Sequence, residues 1–323
     1  MRRLVTLEEI RHAAAHIEGV TCRTPLVRYP LAGEDTSLLI KPESLQPTGA
    51  FKLRGAVAAL AALSADERAR GVVTHSSGNH AQALAYAARL MGVPAVIVAP
   101  ESAPAAKLDA TRALGAELIL VDGSRDQLAP YARRLADQHG YALVPPYDDE
   151  HVIAGQGTAG LEIVEDAPEA DTVLVPVSGG GLISGVGAAV KGLRPETKVI
   201  GVEPELAADA RESFRTRTRV AWSGEDTRRT SADGLRVDQV GEVTFPHLLQ
   251  HVDDMLTVTE AEIAEAMRRL ALHGRLVAEP SGAVTTAAYL FRQEELPPGR
   301  LHVAVLSGGN VDPALFAAVL GAT

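Results

Sequence analysis

Short apolar runs alternate with segments of helical period along most of this chain. Gly71-Val72-Val73-Thr74 precedes a helical pattern from about Ala81 to Met91, and Ala95-Val96-Ile97-Val98 follows it. A second helical segment, containing Ala105 to Leu114, leads into Leu118-Ile119-Leu120-Val121. Strands that are apolar on both faces and separated by helices predict an α/β fold, with a parallel sheet covered on both sides. Thr172-Val173-Leu174-Val175-Pro176-Val177, Lys198-Val199-Ile200-Gly201-Val202 and Leu301-His302-Val303-Ala304-Val305-Leu306 read as further buried strands. Thr6 with Glu9, and Thr259 with Glu262, have capping-box spacing, so each pair opens a helix; the second ends near Gly274. From Ala208 to Phe245 the alternation gives way to Arg, Thr, Ser and Asp, which reads as a loop-bearing excursion. Pro145-Pro146 reads either as a crossing between domains or as a stiff loop.

Composition narrows the class. The 323 residues, 46% hydrophobic and 22% charged, suit a soluble globular protein of about two domains. A net charge of -10, with no cluster of Lys and Arg to track a phosphate backbone, argues against nucleic acid as a partner. No apolar run is long enough to span a bilayer. After Arg2 and Arg3 the chain runs into the first capping box, where a signal peptide would need an unbroken apolar core, so a cytoplasmic protein is expected. Cys22 is the one cysteine; it has no internal disulfide partner, fits a reducing compartment, and is expected to be a small buried hydrophobe.

The candidate chemistry starts at Thr48-Gly49-Ala50-Phe51-Lys52-Leu53-Arg54-Gly55-Ala56. Good helix formers follow from Leu53, which places Lys52 in or beside the first turn of a helix, where the dipole disfavours a cation. A depressed pKa or a covalent imine would relieve that conflict. Alone, such a lysine would usually snorkel to water, but three turns give it company. Ser178-Gly179-Gly180-Gly181-Leu182 follows a strand and opens a helix, which suits a phosphate. Ser76-Ser77-Gly78-Asn79-His80 stands at a second helix N-terminus and offers hydroxyls, an amide and free N–H groups to a small carboxylate. Ser307-Gly308-Gly309-Asn310 follows the last strand and offers a hydroxyl to a ring nitrogen. A dinucleotide-binding unit is the rival, with Glu203 as its acidic residue. It is weakened by Ser184 at the place of the third glycine, and it gives the other turns no role. A lysine, a phosphate seat, a carboxylate seat and a hydroxyl together are what a pyridoxal-phosphate enzyme acting on an amino acid requires.

On these motifs, together with Thr24-Pro25-Leu26, Lys41-Pro42-Glu43 and Val311-Asp312, the chain resembles the fold-type II pyridoxal-phosphate enzymes, in the branch of serine/threonine dehydratases and serine racemase. The likeness runs nearly end to end. It implies two open, twisted, mostly parallel sheets flanked by helices. Residues 1–69 and 147–323 would form the large cofactor-binding domain and 70–146 a small mobile one. It implies that Lys52 holds the cofactor aldehyde with Phe51 against the ring, and that Gly179, Gly180, Gly181 and Leu182 bind the phosphate. Asn79 would take the ring hydroxyl and Ser307 the ring nitrogen. Ser76, Ser77, Gly78, Asn79 and His80 would gather the substrate carboxylate. Glu203, Ala207 and Asp209 resemble a divalent-cation site for Mg²⁺, or Ca²⁺ or Mn²⁺. Arg125 falls where some members bind a distal carboxylate. The family further suggests a homodimer, and no C-terminal allosteric domain is expected.

The expected activity is dehydration of L-serine or L-threonine to a 2-oxo acid and ammonia, with racemisation or threo-3-hydroxyaspartate as alternatives. Ser77 supplies a hydroxyl where many threonine dehydratases have alanine, and in the racemase that hydroxyl is the acid/base opposite the lysine. Val237 points the other way, resembling the dehydratases. An NAD(P)-dependent oxidoreductase and a cofactor- or amino-acid-binding protein without catalysis are the more distant alternatives.

Overall fold

The apolar runs become the strands of two sheets in the computed structural model, which describes residues 3–30, 37–122 and 127–322. Among these the strands are β1 (Val27–Arg28), β2 (Ser37–Pro42), β3 (Val72–His75), β4 (Ala95–Pro100), β5 (Glu117–Val121), β6 (Ala142–Leu143), β7 (Thr172–Pro176), β8 (Lys198–Pro204), β9 (Asp254–Val258) and β10 (Leu301–Leu306). One sheet has the order β1-β2-β10-β7-β8-β9 and the other β5-β4-β3-β6. All pairings are parallel except β1 with β2. The smaller sheet draws on chain between 72 and 143, and the larger on chain before and after it.

The helices in the first half are α1 (Leu7–Ile17), α2 (Lys52–Ala62), α3 (Ala65–Arg70), α4 (Asn79–Met91), α5 (Ala105–Ala113), α6 (Leu128–His139) and α7 (Glu150–Asp166). Those that follow are α8 (Gly181–Leu193), α9 (Asp209–Thr216), α10 (Gly224–Thr227), α11 (Thr244–His251), α12 (Glu260–Arg269), α13 (Pro280–Phe291) and α14 (Pro313–Gly321). Apolar residues of α12 and α13 pack with β2 and β10 in one core, and those of α7, α8 and α11 pack with β7 and β8 in another. The larger sheet is therefore covered on both faces, which is why its central strands carry no polar alternation. β7 is buried along its whole length. Helix α2 is buried from Leu53 to Leu60 because α1, α4 and α7 enclose it. α7 and α8 approach closely at Gly157 and Gly185: a Cβ on Gly157 would lie 2.9 Å from the Gly185 carbonyl oxygen, so only glycine fits there.

Strand order decides where the loops meet. In the larger sheet the chain from β7 goes to β8 and β9 on one side, while β10 lies on the other side of β7. In the smaller sheet β3 leads to β4 and β5 on one side and has β6 on the other. Each reversal opens a crevice at the carboxyl ends of its strands, where open α/β sheets bind ligands. The turns after β7 and β10 flank one crevice, and those after β3 and β6 flank the other.

Some local expectations shift. Helix α4 starts at Asn79, ahead of the predicted Ala81, with Gly78 at the N-cap and no side chain closing that end. The capping boxes of Thr6–Glu9 and Thr259–Glu262 form as read. The helix opened by Thr259 continues past Arg269 as a widened π turn to Gly274. The 208–245 excursion holds α9, α10 and a 3-10 turn, Asp233–Leu235. Cys22 is a correction: it is exposed rather than buried. It lies in the segment after α1 whose backbone is held by Gln46, which accepts from the Cys22 N–H at 2.9 Å and donates to its carbonyl at 2.8 Å.

Candidate active site

Lys52 is the first residue of α2. Its Nζ lies 5.0 Å from the centre of the Phe51 ring and donates to the Pro146 carbonyl at 2.6 Å. No acid is among the causes acting on its charge, and burial pushes the ammonium down to about 8. The conflict read from the sequence is thus met by a weakened base, not by a salt bridge. Behind it, Arg54 takes the opposite course. Its guanidinium is fully buried and donates to Glu43 at 2.7 Å and Glu162 at 2.6 Å, and Lys41 joins Glu162 at 2.6 Å. Burial alone would push the Glu43 carboxyl up, but Arg54 outweighs it and holds the group below the usual carboxylate range.

Pro146 leads into Tyr147, whose ring lies where a Cβ on Gly179 would have to go; a Cβ on Gly181 would be 2.9 Å from Tyr147 Cβ. The turn after β7 therefore packs on the loop after β6, and Lys52 touches that loop one residue earlier. Gly180 has φ +91°, a conformation glycine adopts without strain. The carbonyl of Gly179 accepts from the Gly241 N–H at 3.1 Å and from Thr244 Oγ1 at 2.6 Å. With that carbonyl held, the first N–H groups of α8, from Gly181 and Leu182, have no partner within the helix. Ser178 Oγ beside them is buried with no hydrogen-bond partner. Free donors, an orphan hydroxyl and a helix dipole fit an anionic group such as a phosphate.

Ser76 and Ser77 are half-buried in the turn between β3 and α4, and Gly78 donates its N–H to Ser76 Oγ at 3.3 Å. His80 Nε2 bonds the Val144 carbonyl oxygen at 3.0 Å. Burial, with Lys52 nearby, pushes its pKa down to about 3. The imidazole is a neutral interior group, so what His80 offers at the helix end is its main-chain N–H. Asn79 is held at both ends of its amide. Nδ2 donates to Glu279 Oε1 at 2.6 Å, and Oδ1 accepts from Asn310 Nδ2 at 2.9 Å. Ser307 follows β10 and is almost wholly buried; its carbonyl accepts from the Phe51 N–H at 3.0 Å, and its hydroxyl reaches the Ser281 carbonyl at 3.4 Å. The β10 turn is thereby fastened to the start of α2.

Glu203 ends β8 and is fully buried, accepting from the N–H groups of Ala210 at 3.3 Å and Arg211 at 2.7 Å. Each oxygen of that carboxylate thus accepts one N–H from the start of α9. Asp209 is also fully buried, and both of its carboxyl oxygens lack a hydrogen-bond partner. Burial, then the adjoining Asp209, push Glu203 well up, and burial raises Asp209 to about 7. Ala207 is buried in the turn between them. No group of three or more His, Cys, Asp or Glu placed to hold a metal ion occurs among the described residues. Two carboxyls, one with both oxygens orphaned, still fit a hard cation completed by carbonyls and water. Arg125 lies outside the described residues.

A sequence model described as "Pyridoxal-phosphate dependent enzyme" matches residues 17–308. The chain belongs to the pyridoxal-phosphate dependent enzymes. It is 44% identical over 311 residues to L-threonine ammonia-lyase of Thermotoga maritima, covering 96% of this chain and 76% of that one. It is 40% identical over 317 residues to L-threo-3-hydroxyaspartate ammonia-lyase of Saccharomyces cerevisiae, covering 98% and 96%. Among solved structures, serine racemase from Dictyostelium discoideum superposes with a TM-score of 0.87 at 38% identity, covering 95% of this chain and 99% of that one. Among the described residues of this pyridoxal-phosphate enzyme, no helix is long and apolar enough to cross a membrane.

The three turns and the lysine of this enzyme were legible because each is a local pattern. Glu279 and Tyr147 were not. Glu279 looks in sequence like an ordinary acid before a helix, and it meets Asn79 only because α13 and α4 start at the same place. Tyr147 follows the singled-out Pro145-Pro146 pair, and an aromatic just after a stiff turn is a faint signal by itself.

Proposed function

We propose that the protein is an ammonia-lyase that dehydrates L-serine or L-threonine to a 2-oxo acid and ammonia. The observation that carries this reading is the convergence of Lys52, the glycine turn after β7, the open N-terminus of α4 and Ser307 on the two sheet crevices. When bound, pyridoxal phosphate supplies an aldehyde for amines and a ring that accepts electrons from the substrate α-carbon.

The chain's own residues do the rest. Lys52 would hold the aldehyde; as a free amine its pKa is lowered to about 8 by burial, which suits it to take the substrate α-proton. Main-chain N–H groups of Gly179, Gly180, Gly181 and Leu182 hold the phosphate. Asn79 holds the ring hydroxyl, and the Ser307 hydroxyl the ring nitrogen. A neutral hydroxyl, unlike a carboxylate, would not hold a proton on that nitrogen. Ser76, Ser77, Gly78 and the N–H groups that open α4 hold the substrate carboxylate against the helix dipole. The β-hydroxyl would leave as water with the proton that Lys52 has taken, and the released enamine, with one water, would hydrolyse to the 2-oxo acid and ammonia.

Glu203, Asp209 and the Ala207 carbonyl would hold Mg²⁺ or a similar cation. Asp209 neighbours Val240, and the next residue, Gly241, holds the Gly179 carbonyl. A cation there would brace the phosphate turn. Residues 70–146 would close over the substrate.

The test is a panel of L-serine, L-threonine, L-threo-3-hydroxyaspartate and their enantiomers, with release of 2-oxo acid measured with and without Mg²⁺. Pyruvate from L-serine, or 2-oxobutyrate from L-threonine, is the expected leading product. A second reading, racemisation, is favoured by the Ser77 hydroxyl in the β3–α4 turn. D-serine formed faster than pyruvate would put it first, and Ser77→Ala should then abolish it.

A further inference from the structure

Glu279 is a buried carboxyl to which the reaction derived above gives no role. It occupies the N-cap of α13, where acidic side chains commonly serve their own helix, yet it makes no such bond. Its Oε1 instead accepts from Asn79 Nδ2 at 2.6 Å. From the other side, Asn310 donates to Asn79 Oδ1 at 2.9 Å and to the Thr48 carbonyl, also at 2.9 Å. An amide has one acceptor end and one donor end. With Asn310 on the oxygen and Glu279 on the nitrogen, both the rotamer of Asn79 and the identity of each end are set, and one N–H remains free. Gly308, next to Ser307, lies against the same pair: a Cβ there would overlap Glu279 Oε1 and come within 3.2 Å of Asn79 Nδ2.

We infer that Glu279 is a positioning residue: together with Asn310 it clamps the Asn79 amide so that the remaining N–H is presented to the pyridoxal ring. The inference rests on the proposed function, in which Asn79 holds the ring hydroxyl. A charged acceptor makes the stronger clamp. Two charged groups face it, Asp233 from the 3-10 turn and Lys107 from α5, and these two pair with each other. Burial and then Asp233 raise the Glu279 carboxyl to about 7, against Asn79 and Lys107. The charged clamp is therefore complete above that pH and is lost as the pH falls through it.

The experiment strips the enzyme of cofactor and titrates it with pyridoxal phosphate, reading the visible imine band. Glu279→Ala should weaken binding about tenfold or more, the cost of losing a hydrogen bond to a charged group. Glu279→Gln, whose carbonyl still accepts, should stay within about threefold of wild type. The double variant Glu279→Ala/Asn79→Ala should bind no worse than Asn79→Ala alone, because the two residues act as one unit. Between pH 8 and pH 6 the wild type should lose affinity relative to Glu279→Gln. Should Glu279→Ala not fold, Glu279→Asp, too short to reach Asn79, should show the same loss. Wild-type affinity in Glu279→Ala or Glu279→Asp overturns the inference. So do equal losses in the Ala and Gln variants, or losses that multiply in the double variant. A wild-type protein that forms no imine band overturns the proposed function, and this inference with it.

Discussion

Behind α2, Lys41, Glu43 and Arg54 are fully buried and Glu162 nearly so, and every charge there meets its opposite. Beside β8, Glu203 and Asp209 are buried as deeply, but they are two acids together, and Asp209 has both oxygens unpartnered. Lys52, half-buried, and Glu279, buried, resemble the second group, each a charge with a neutral hydrogen-bond partner. Removing an ion from water costs several kcal/mol unless charge and hydrogen bonds are restored around it. The balanced cluster restores both within the chain and ties β2, α2 and α7 together. The unbalanced groups have no such compensation among the described residues. On the proposed function, balance marks framework here and imbalance marks the site.

That contrast is open to attack at several points. The largest effect should come from Lys52→Ala, which is expected to lower elimination by at least about 10²–10⁴-fold, measured as 2-oxo acid release. Thermal stability should hold or rise, because an ammonium strained by burial is removed. Turnover near wild type would detach the lysine from the chemistry.

Next in size is Arg54→Met, which strands Glu43 in the interior. It should cost about 3–5 kcal/mol in urea denaturation; a loss under about 1 kcal/mol would mean the cluster is not a framework. Smaller, and of opposite sign, is Asp209→Asn in protein freed of divalent cations. It should stabilise by on the order of 1–3 kcal/mol at pH 8, since each unit of pKa displacement corresponds to about 1.4 kcal/mol. Mg²⁺ should raise the Tm of the wild type, and the same variant should lose that gain.

The smallest effect is a pH trend. The folded chain keeps protons on Glu203 and Asp209 that the unfolded chain releases near pH 4. The folded state thus binds more protons, and cation-free stability falls as pH rises from about 4 to about 7. A cation at these acids reverses the loss, so the Tm gain from Mg²⁺ should be larger at pH 8 than at pH 6. Equal gains would place the cation elsewhere.

Much of the fold was legible in particular residues. Val72–Thr74, Ala95–Val98 and Leu301–Leu306 became strands because apolar runs of that length have few alternatives once helices cover both faces. Capping boxes at Thr6 and Thr259 formed because they join neighbours three residues apart. The early start of α4 was missed because Gly78 caps without a side-chain bond, leaving no polar signal. The exposure of Cys22 was missed because an isolated cysteine follows only the statistics of its type. The imidazole of His80 looked available beside Asn79, and its commitment to Val144 arises from a loop 64 residues away.

By itself, the sequence determined what short-range physics controls: buried strands, helix starts, a lysine at the positive end of a helix and glycine where φ must be positive. Tertiary structure alone decided which charges are answered. Arg54 meets Glu162 across 108 residues and Asn79 meets Glu279 across 200. No local pattern encodes such pairings, because they depend on strand order and on which crevice each loop enters. The same acidic residue type is a counter-ion at Glu43 and a buried acid beside a second acid at Asp209, since charge is settled by three-dimensional neighbours and burial.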